Sequence, residues 1–177
     1  GYRNTFIGNS AGSRNTTGFR NTCVGDISGS TYGQTASNNS IIGYNAQAPS
    51  DTSSNNIVLG DSSIGALRCQ QTSVIGLSDQ RDKTNIVDLT DGLDLINILK
   101  PRKFTWAMRT PSANDGKTEI GFIAQELDTA FGDKNDYVGI VDHTNENKLE
   151  AAPSKLIPIM VKAIQDLSAK VTALEAG

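Results

Sequence analysis

Short apolar segments separated by polar stretches recur through the first 77 residues. Five segments share a run of apolar or β-branched residues followed by a glycine, and their glycines lie 17, 18, 17 and 16 residues apart. Such a period predicts a stacked architecture, in which each unit contributes one strand that packs against its neighbours. The segments cover residues 4–8, 21–25, 39–43, 56–60 and 72–76.

Both faces of each predicted strand carry apolar residues, because the two residues before every glycine are apolar. A sheet within a single chain would leave its outer face in water, whereas three chains about a common axis would cover that face. The remaining asparagine, serine and threonine residues are predicted to form polar ladders and solvated turns. We therefore predict an intertwined trimeric β-helix or β-repeat shaft over residues 1–77, with a single-chain β-solenoid as the alternative.

Beyond residue 77 the pattern becomes that of a globular α+β domain. Helical periodicity, strand alternation and turn residues follow one another over short distances, as in mixed domains. Gly132 is expected to close one of the helices. The predicted elements are a helix over 91–99 capped by Thr90, strands over 103–108 and 119–123 forming a hairpin, a helix over 124–131 and a strand over 137–141.

The chain is predicted to end in a long coiled-coil helix, because apolar residues are spaced 3, 4, 3, 4 and 3 apart. Ser154 is its predicted cap, and Pro158 falls in the first turn, where a missing N–H costs least. Such a short coil is marginal alone and needs the oligomer. Its residue types favour a dimer, but the longer repeat pattern argues for three chains. The seam consists of Ile157, Met160, Ile164, Leu167, Val171 and Leu174.

Charge separates the same two parts of the chain. All nine lysines lie in residues 78–177, where 28 of 100 residues are charged, against 7 of 77 before them. A net charge of −3 without a basic patch argues against a nucleic-acid partner. No segment is apolar enough for a membrane span, and no signal peptide is evident. Cys23 and Cys69 are too few for a disulfide framework or a metal site, and no cofactor is expected.

A possible nucleophile lies at the border between the two parts. Ser78 is followed five residues later by Lys83, with Asp79 and Arg81 between them. A serine hydroxyl needs a base, and a lysine can serve where burial or a nearby cation such as Arg81 favours its neutral amine. A cut before Ser78 would separate two complete modules. The alternative is a Ser-Asp turn beside a solvated lysine.

The pattern of Ser78 and Lys83 resembles that of the self-cleaving intramolecular chaperones at the C-termini of phage tail fibres, tailspikes and endosialidases. The resemblance extends to residues 83–86, 121–126 and 156–167, and so covers most of 78–177. It implies a domain that holds three chains in register while the shaft folds and then removes itself.

The resemblance also implies roles for individual residues. The domain would be a single-turnover serine peptidase, a hydrolase acting on its own chain between Leu77 and Ser78. Ser78 would attack the carbonyl of Leu77, and Lys83 would be its base. Asp79 and Arg81 would support this dyad.

On this interpretation residues 1–77 form the end of a fibre or spike in a virion, and residues 78–177 are the chaperone. Because Gly1 falls inside a repeat, we expect the C-terminal part of a longer protein. It would assemble as a homotrimer in the host cytoplasm and lose the chaperone domain after cleavage. A host cell-surface glycan or receptor would then bind the mature fibre. The alternatives are a trimerisation cap that is never cut and a fibre tip in which residues 78–177 bind the host.

Other catalytic arrangements have weaker support in the sequence. His143 beside Asp142 could suggest a Ser/His/Asp triad, but the chain has a single histidine and no nucleophile-elbow motif. Glu126 and Asp128 could suggest an acid pair for glycoside hydrolysis. Two positions apart on a helix, they point to different faces, so a solvated surface is the better interpretation.

Overall fold

The computed structural model describes residues 1–32, 34–71, 73–109, 112 and 114–177. The structure is mixed α and β, as predicted, and divides into two compact units. The domain boundary between residues 77 and 78 was predicted from the sequence alone and stays a prediction. The first unit contains Gly1–Leu67, Thr105–Glu119 and His143–Lys148, and the second contains Arg68–Phe104, Ile120–Asp142 and Leu149–Gly177.

Four short parallel strands form the repeat region, as predicted for the first four units. Their order in the sheet is their order in the chain, and successive strands pair residue for residue. The pairing joins successive units of one chain, so the sheet forms without intertwined chains, in the manner of the solenoid alternative. A trimer of such stacks stays a prediction. The strands are β1 Thr5–Ile7, β2 Thr22–Val24, β3 Ser40–Ile42 and β4 Ile57–Leu59.

The middle residues of β2 and β3 point into the stack, and their neighbours in each strand are more exposed. Cys23 and Ile41 are almost completely buried, next to Ala46 and Ala48. Burial raises the pKa of the Cys23 thiol, and this cysteine acts as a small apolar core residue. The alternation follows from the two-residue period of a strand.

An apolar row remains on the outside of the stack, at the position just before each glycine. Ile7, Ile42 and Leu59 are 58%, 45% and 52% exposed, and Val24 is half-buried. These four residues lie side by side because their strands pair in register. We call them the outer row.

Asparagines four positions before the glycines form a ladder through the stack. The backbone N–H groups of Asn21, Asn39 and Asn56 each donate to Oδ1 of the asparagine one unit earlier, at 2.9, 3.0 and 2.8 Å. The side-chain amides of Asn4, Asn21 and Asn39 donate to backbone carbonyls 14 or 15 residues further on. Leaving one such buried group unpaired costs about 1–3 kcal/mol, so the ladder fixes how the residues of neighbouring units align.

The glycine after each strand has a conformation that a side chain would block. Gly8, Gly25 and Gly43 have φ angles of +128°, +128° and +121°. A Cβ atom on Gly25 would lie 2.5 Å from the carbonyl oxygen of Gly43 in the next unit. Glycine tolerates both the positive φ and the close backbone approach, which explains the glycine in each of these units.

The strand predicted for the fifth repeat is not formed. Residues 73–76 have no strand pairing, and the side chains of Val74 and Ile75 are 99% and 94% exposed. Thr72 lies outside the described residues. The unit spans 16 residues and begins with threonine, whereas the other four begin with asparagine. The ladder of asparagine side chains therefore ends at Asn56, one unit earlier.

The described residues after 77 form α-helices and two pairs of short strands around a separate core. Buried apolar side chains of the helices and of the segment before β7 pack together, including Leu95, Leu127, Phe131, Ile140 and Leu156. The elements are α1 Leu93–Ile98, β5 Arg102–Thr105, β6 Thr118–Gly121, α2 Ala124–Phe131, α3 Asn135–Val138, β7 Val141–Asp142, β8 Glu150–Ala151 and α4 Leu156–Glu175.

The predicted hairpin and the helix after it are confirmed, with small changes at their ends. β5 and β6 form a two-stranded sheet, and the N–H of Trp106 donates to the carbonyl of Lys117 at 2.9 Å beyond it. The predicted turn over 112–117 includes Ala113, which lies outside the described residues. α2 ends where predicted, because Gly132 adopts a φ of +50° at its C-terminus.

Two predictions in the region after α2 are wrong. The strand expected over 137–141 is mostly helical, because α3 extends to Val138 and Gly139 ends it in the left-handed conformation. Only Val141 reaches a strand, β7, which pairs antiparallel with β8. The expected cap Ser154 lies within a 3₁₀ turn that leads into α4, and α4 has no side-chain cap.

The predicted start of α1 is also wrong. The helix begins at Leu93 rather than at Asp91 after a Thr90 cap. Asp91 instead pairs with Lys134, and the hydroxyl of Tyr137 donates to its other oxygen at 2.6 Å. The N–H of Leu93 donates to the carboxylate of Asp166 in α4 at 3.2 Å. A residue distant in sequence therefore caps this helix.

Replacing Asp91 with asparagine is expected to destabilise the protein by about 1 kcal/mol at neutral pH, through loss of a charge-assisted pair. The hydrogen bond from Lys134, with that from Tyr137, lowers the pKa of Asp91. A lowered carboxyl pKa stabilises the fold above the unfolded pKa, and this contribution disappears as pH falls below about 4. Denaturant unfolding at several pH values should therefore show the difference at pH 7 and lose it in acid. Asp94→Asn, at an exposed position on α1, is the control.

α4 buries one side against the core and exposes the other. Leu156, Ile159 and Ala163 are 3 to 6% exposed. The six residues of the predicted seam are 45 to 82% exposed, although they are apolar and follow the coiled-coil spacing. Among the described residues, no helix is long and apolar enough to cross a membrane.

Candidate active site

A single 3₁₀ turn brings the predicted nucleophile and base together. Residues Gln80–Asp82 form this turn, which Asp79 caps by accepting the N–H of Arg81 at 2.9 Å. The N–H of Lys83 then donates to the carbonyl of Gln80 at 3.1 Å and closes the turn. The five-residue spacing thus allows the side chain of Lys83 to reach back to Ser78.

The side chains of Ser78 and Lys83 are in direct contact. Nζ of Lys83 donates to Oγ of Ser78 at 2.7 Å and to the backbone carbonyl oxygen of Ser78 at 3.2 Å. A general base must lie within about 2.6–3.2 Å of the hydroxyl whose proton it takes, and this pair satisfies that distance. Both residues are exposed in the single chain.

Asp79 and Arg81 pair with each other beside this contact. Nε and one terminal nitrogen of Arg81 donate to the two carboxylate oxygens of Asp79 at 3.0 and 2.6 Å. The hydrogen bonds from the Arg81 side chain and N–H lower the pKa of Asp79, and the side-chain hydrogen bonds that Arg81 donates to Asp79 raise the pKa of Arg81. The guanidinium charge that was expected to act on Lys83 is therefore offset by an adjacent carboxylate.

The bond expected to be cut lies in an accessible part of the chain. The side chain of Leu77 is 85% exposed, and residues 73–77 form neither helix nor strand. Exposed segments without backbone pairing are the usual sites of peptide cleavage. Cleavage of the Leu77–Ser78 bond by this dyad stays a prediction.

The weaker catalytic candidates lie elsewhere. Glu126 pairs with Arg102, whose Nε donates to it at 2.9 Å, and these bonds lower the pKa of Glu126. Asp128 is two positions further along α2. His143 follows β7 at the start of the polar loop.

One contact escaped the sequence interpretation. Within the first compact unit, the side-chain amide of Asn145 donates to the carbonyl of Pro49 in the repeat region at 3.0 Å. The sequence identified the loop around Asn145 only as polar. Its abundance of asparagine was a signal for side-chain bonding to backbone, but not for which backbone.

The fold and this site together define a class: a parallel β-repeat followed by an α+β domain that begins with a serine and a lysine in contact. Residues 78–135 match a serine-peptidase family described as chaperone of endosialidase, whose members cleave themselves. The resemblance noted in the sequence is therefore confirmed for this stretch, and the match begins at Ser78.

A viral protein is also similar to part of the chain. It is described as uncharacterized protein VP1 of Micromonas pusilla reovirus and is 45% identical over 64 residues. The aligned region is 35% of this chain but only 3% of the viral protein. No solved structure matches the chain.

Proposed function

We propose that this chain is the C-terminal part of a viral tail fibre or tailspike whose last 100 residues align three copies, assist shaft folding and then cut themselves off. The main support for this proposal is the 2.7 Å contact between Lys83 Nζ and Ser78 Oγ, which lies at the start of the family match. The viral relative supports a virion-associated protein. Attachment to a host glycan or receptor would be a property of the mature fibre.

The proposed cleavage needs no atom from outside the chain except water. Lys83, in its neutral form, accepts the Oγ proton while Oγ bonds to the carbonyl carbon of Leu77. The C–N bond to Ser78 then breaks, and the proton passes to the Ser78 nitrogen. Water hydrolyses the resulting ester, leaving a carboxylate on Leu77 and restoring the Ser78 hydroxyl.

Two exposed apolar surfaces support the homotrimer. The outer row of the repeat sheet and the seam of α4 both face solvent in the single chain. Contiguous apolar surfaces of this kind usually mark contacts with other chains. In three copies about a common axis, each of these surfaces would be buried against the same surface of the other two copies.

The contact between Asn145 and Pro49 supports a chaperone that acts on the repeat directly. Units of almost equal length can pair one whole unit out of register. Correcting such an error would require breaking all the hydrogen bonds between the mispaired units. A loop that bonds to one particular turn of the shaft would favour the correct register.

A trimerisation cap that is never cut is the second candidate, favoured by the exposure of Ser78 and Lys83. A lysine becomes a base more readily when burial disfavours its charged form, and the single chain does not bury this one. A mass measurement on the purified full chain decides between the candidates. Self-cleavage gives fragments of 77 and 100 residues, and the cap gives 177 residues only.

The chaperone role predicts that residues 1–77 expressed alone will be poorly soluble or not trimeric. The same residues obtained by cleavage of the full chain should stay soluble and trimeric. The reason is that the repeats offer similar pairings to one another, so that correct register depends on the second part. Light scattering on both preparations makes the comparison. Equal solubility and equal mass would contradict a chaperone role while leaving cleavage untouched.

A further inference from the structure

The first two units of the repeat differ from the next two in the pair of residues before the ladder asparagine. This pair is an aromatic residue and an arginine in the first two units, and serine and asparagine in the next two. All of these residues belong to the first compact unit. The pairs are Tyr2 with Arg3, Phe19 with Arg20, Ser37 with Asn38 and Ser54 with Asn55.

The serines of the later units accept hydrogen bonds from the backbone of the unit before them. The N–H of Phe19 donates to Oγ of Ser37 at 3.1 Å, and the N–H of Ser37 donates to Oγ of Ser54 at 2.9 Å. A phenyl ring has no such acceptor, so Phe19 offers nothing equivalent to the N–H of Tyr2. The aromatic residues therefore stand where a serine would join the units, and stacking of the repeat does not explain them.

The arginines occupy a backbone conformation that suits asparagine better. Arg3 and Arg20 have φ angles of +57° and +58°, and Asn38 and Asn55 have +58° and +65° at the same position. Asparagine is enriched several-fold in this left-handed region, whereas most other side chains are uncommon there. Residues held in such conformations cluster at functional sites, so the two arginines point to a role other than stacking.

The rings and the guanidinium groups of the first two units form one packed group. The rings of Tyr2 and Phe19 stack with their centroids 5.2 Å apart and their planes 5° from parallel. The guanidinium carbons of Arg3 and Arg20 lie over these rings, each 5.6 Å from the ring centroid. Cation–π attraction at this distance restrains each guanidinium group. Because both arginines are exposed, their hydrogen-bond donors are presented to solvent in a defined orientation.

The positive charges of these two arginines are not neutralised. Among the residues that the structure describes, neither Arg3 nor Arg20 forms an ion pair. Residues 1–32 contain three arginines and a single acid, Asp26, whose carboxylate accepts the amide of Asn9 at 3.0 Å. Equivalent positions on neighbouring units of a parallel stack lie about 4.8 Å apart, so two cations stand side by side. An anion bound to both would offset their repulsion.

We propose that this edge of the repeat binds an acidic polysaccharide, whose carboxylate or sulfate groups pair with Arg3 and Arg20. Guanidinium groups bind oxyanions through two parallel hydrogen bonds. The edge continues with Asn38 and Asn55, which are exposed and whose side chains are joined by a hydrogen bond of 2.8 Å. Side-chain amides offer both donors and acceptors, as sugar hydroxyl groups require. We call these four residues the polar edge.

The polar edge fits a saccharide better than a nucleic acid. Single strands bind proteins by stacking their bases on aromatic side chains. Here the rings of Tyr2 and Phe19 stack on each other and are covered by guanidinium groups. The net charge of −3 also opposes binding of a densely charged phosphate backbone. Four units span about 14 Å, so the edge would contact a short run of sugars.

Attachment to a host through the polar edge rests on the proposed function, because residues 1–77 would remain in the mature fibre. Binding itself needs only the folded repeat and does not depend on cleavage. Affinity is therefore measured on the unchanged chain and on Ser78→Ala. A failure of cleavage is then seen separately from a failure of binding.

Arg20→Asn, alone and together with Arg3→Asn, tests the polar edge in the full chain. These variants give the first two units the residue that the next two already have, so the fold should be kept. Arg14→Asn, at another exposed arginine, is the matched control for the loss of one positive charge. Fluorescence anisotropy measures the binding of labelled tetramers of galacturonic acid, of sulfated galactose and of unmodified galactose. An oligodeoxythymidine with the same charge as the acidic tetramers is the fourth probe.

We expect the unchanged chain to bind one of the acidic tetramers roughly tenfold more tightly than the neutral tetramer, because only the acidic one pairs with the arginines. The preferred acidic tetramer identifies the bound group as a carboxylate or a sulfate. Arg20→Asn should weaken this binding about tenfold, and the double variant further, through loss of charge-assisted hydrogen bonds. Arg14→Asn should change it by less than about twofold, since a charge outside the edge acts only through screened attraction.

Several results would overturn the inference. They are equal binding of the acidic and neutral tetramers, no binding of either acidic tetramer, equal weakening by Arg14→Asn and Arg20→Asn, and tighter binding of the oligodeoxythymidine. Sedimentation of the same variants adds a further test. A changed oligomer mass in Arg20→Asn would assign the edge to contact between copies of the chain, which also contradicts a saccharide site.

A second double variant keeps both arginines and removes the rings that hold them. Tyr2→Ser with Phe19→Ser introduces the serine of the later units, whose hydroxyl accepts a backbone hydrogen bond. Binding of the preferred acidic tetramer should weaken, because the guanidinium groups lose their support. Unchanged affinity would show that the packed group does not form the site, even if the arginine variants fail to fold.

Discussion

Ser78→Ala is expected to keep the chain at its full 177 residues under conditions in which the unchanged protein separates into 77 and 100 residues. The variant lacks the hydroxyl that must form the ester, and no neighbouring side chain can take its place in the same turn. Because Ser78 is exposed, its removal should change stability by less than about 0.5 kcal/mol. Intact mass and sedimentation together should show an uncut trimer.

Lys83→Ala should slow the same cleavage by roughly 10²- to 10⁴-fold, the usual contribution of a positioned base. Arg81 stays protonated, and the carboxylate of Asp79 is already paired with it, so neither replaces the lysine. Ser73→Ala, at another exposed serine, is the matched control and should cleave normally. An unchanged rate in Lys83→Ala would remove the lysine from the mechanism. A cut mapped elsewhere than before Ser78 would remove the serine.

Leu167→Asp is expected to convert the trimer into monomers or to prevent its assembly. Leu167 is 51% exposed in the single chain and lies at the centre of the α4 seam. An aspartate there would place three like charges together in an apolar interface, which costs several kcal/mol. Sedimentation of the Ser78→Ala background, in which the chaperone stays attached, measures the effect.

Ala169→Asp controls for the weaker helix propensity of aspartate. Ala169 lies on α4 two residues away, outside the seam, and is exposed. The two variants gain the same charge and lose similar helix propensity, so only the seam position differs. Similar loss of assembly in both would show that helix stability, and not the seam, controls the oligomer. A trimer that survives Leu167→Asp would leave the outer row as the main contact.

The sequence predicted most elements whose signal is local or periodic. Repeated glycines identified four strands with the correct register, and Ser78 and Lys83, selected by their place at the border and by the resemblance, are in contact. Both predictions depend on residues close together in sequence or on a repeated unit. Periodicity carries this information because each turn of the stack repeats the same local geometry.

Several features that the sequence did not predict involve partners that are distant in sequence. Asp91 looked like the first residue of a helix, but Lys134 and Tyr137 bind its carboxylate. The bond from Asn145 to Pro49 spans 96 residues. The fifth repeat matched the strand pattern, yet residues 73–76 form no strand, because a strand needs more than a pattern of apolar residues.

The asparagine ladder joins the repeat units in the same way whatever their number. Every rung is joined to the next by the same side-chain and backbone bonds, so a whole unit can be deleted or duplicated without creating a new kind of contact. Change by part of a unit would instead break the ladder. A stack of this type can therefore lengthen or shorten in steps of about 17 residues and keep the same contacts between its units.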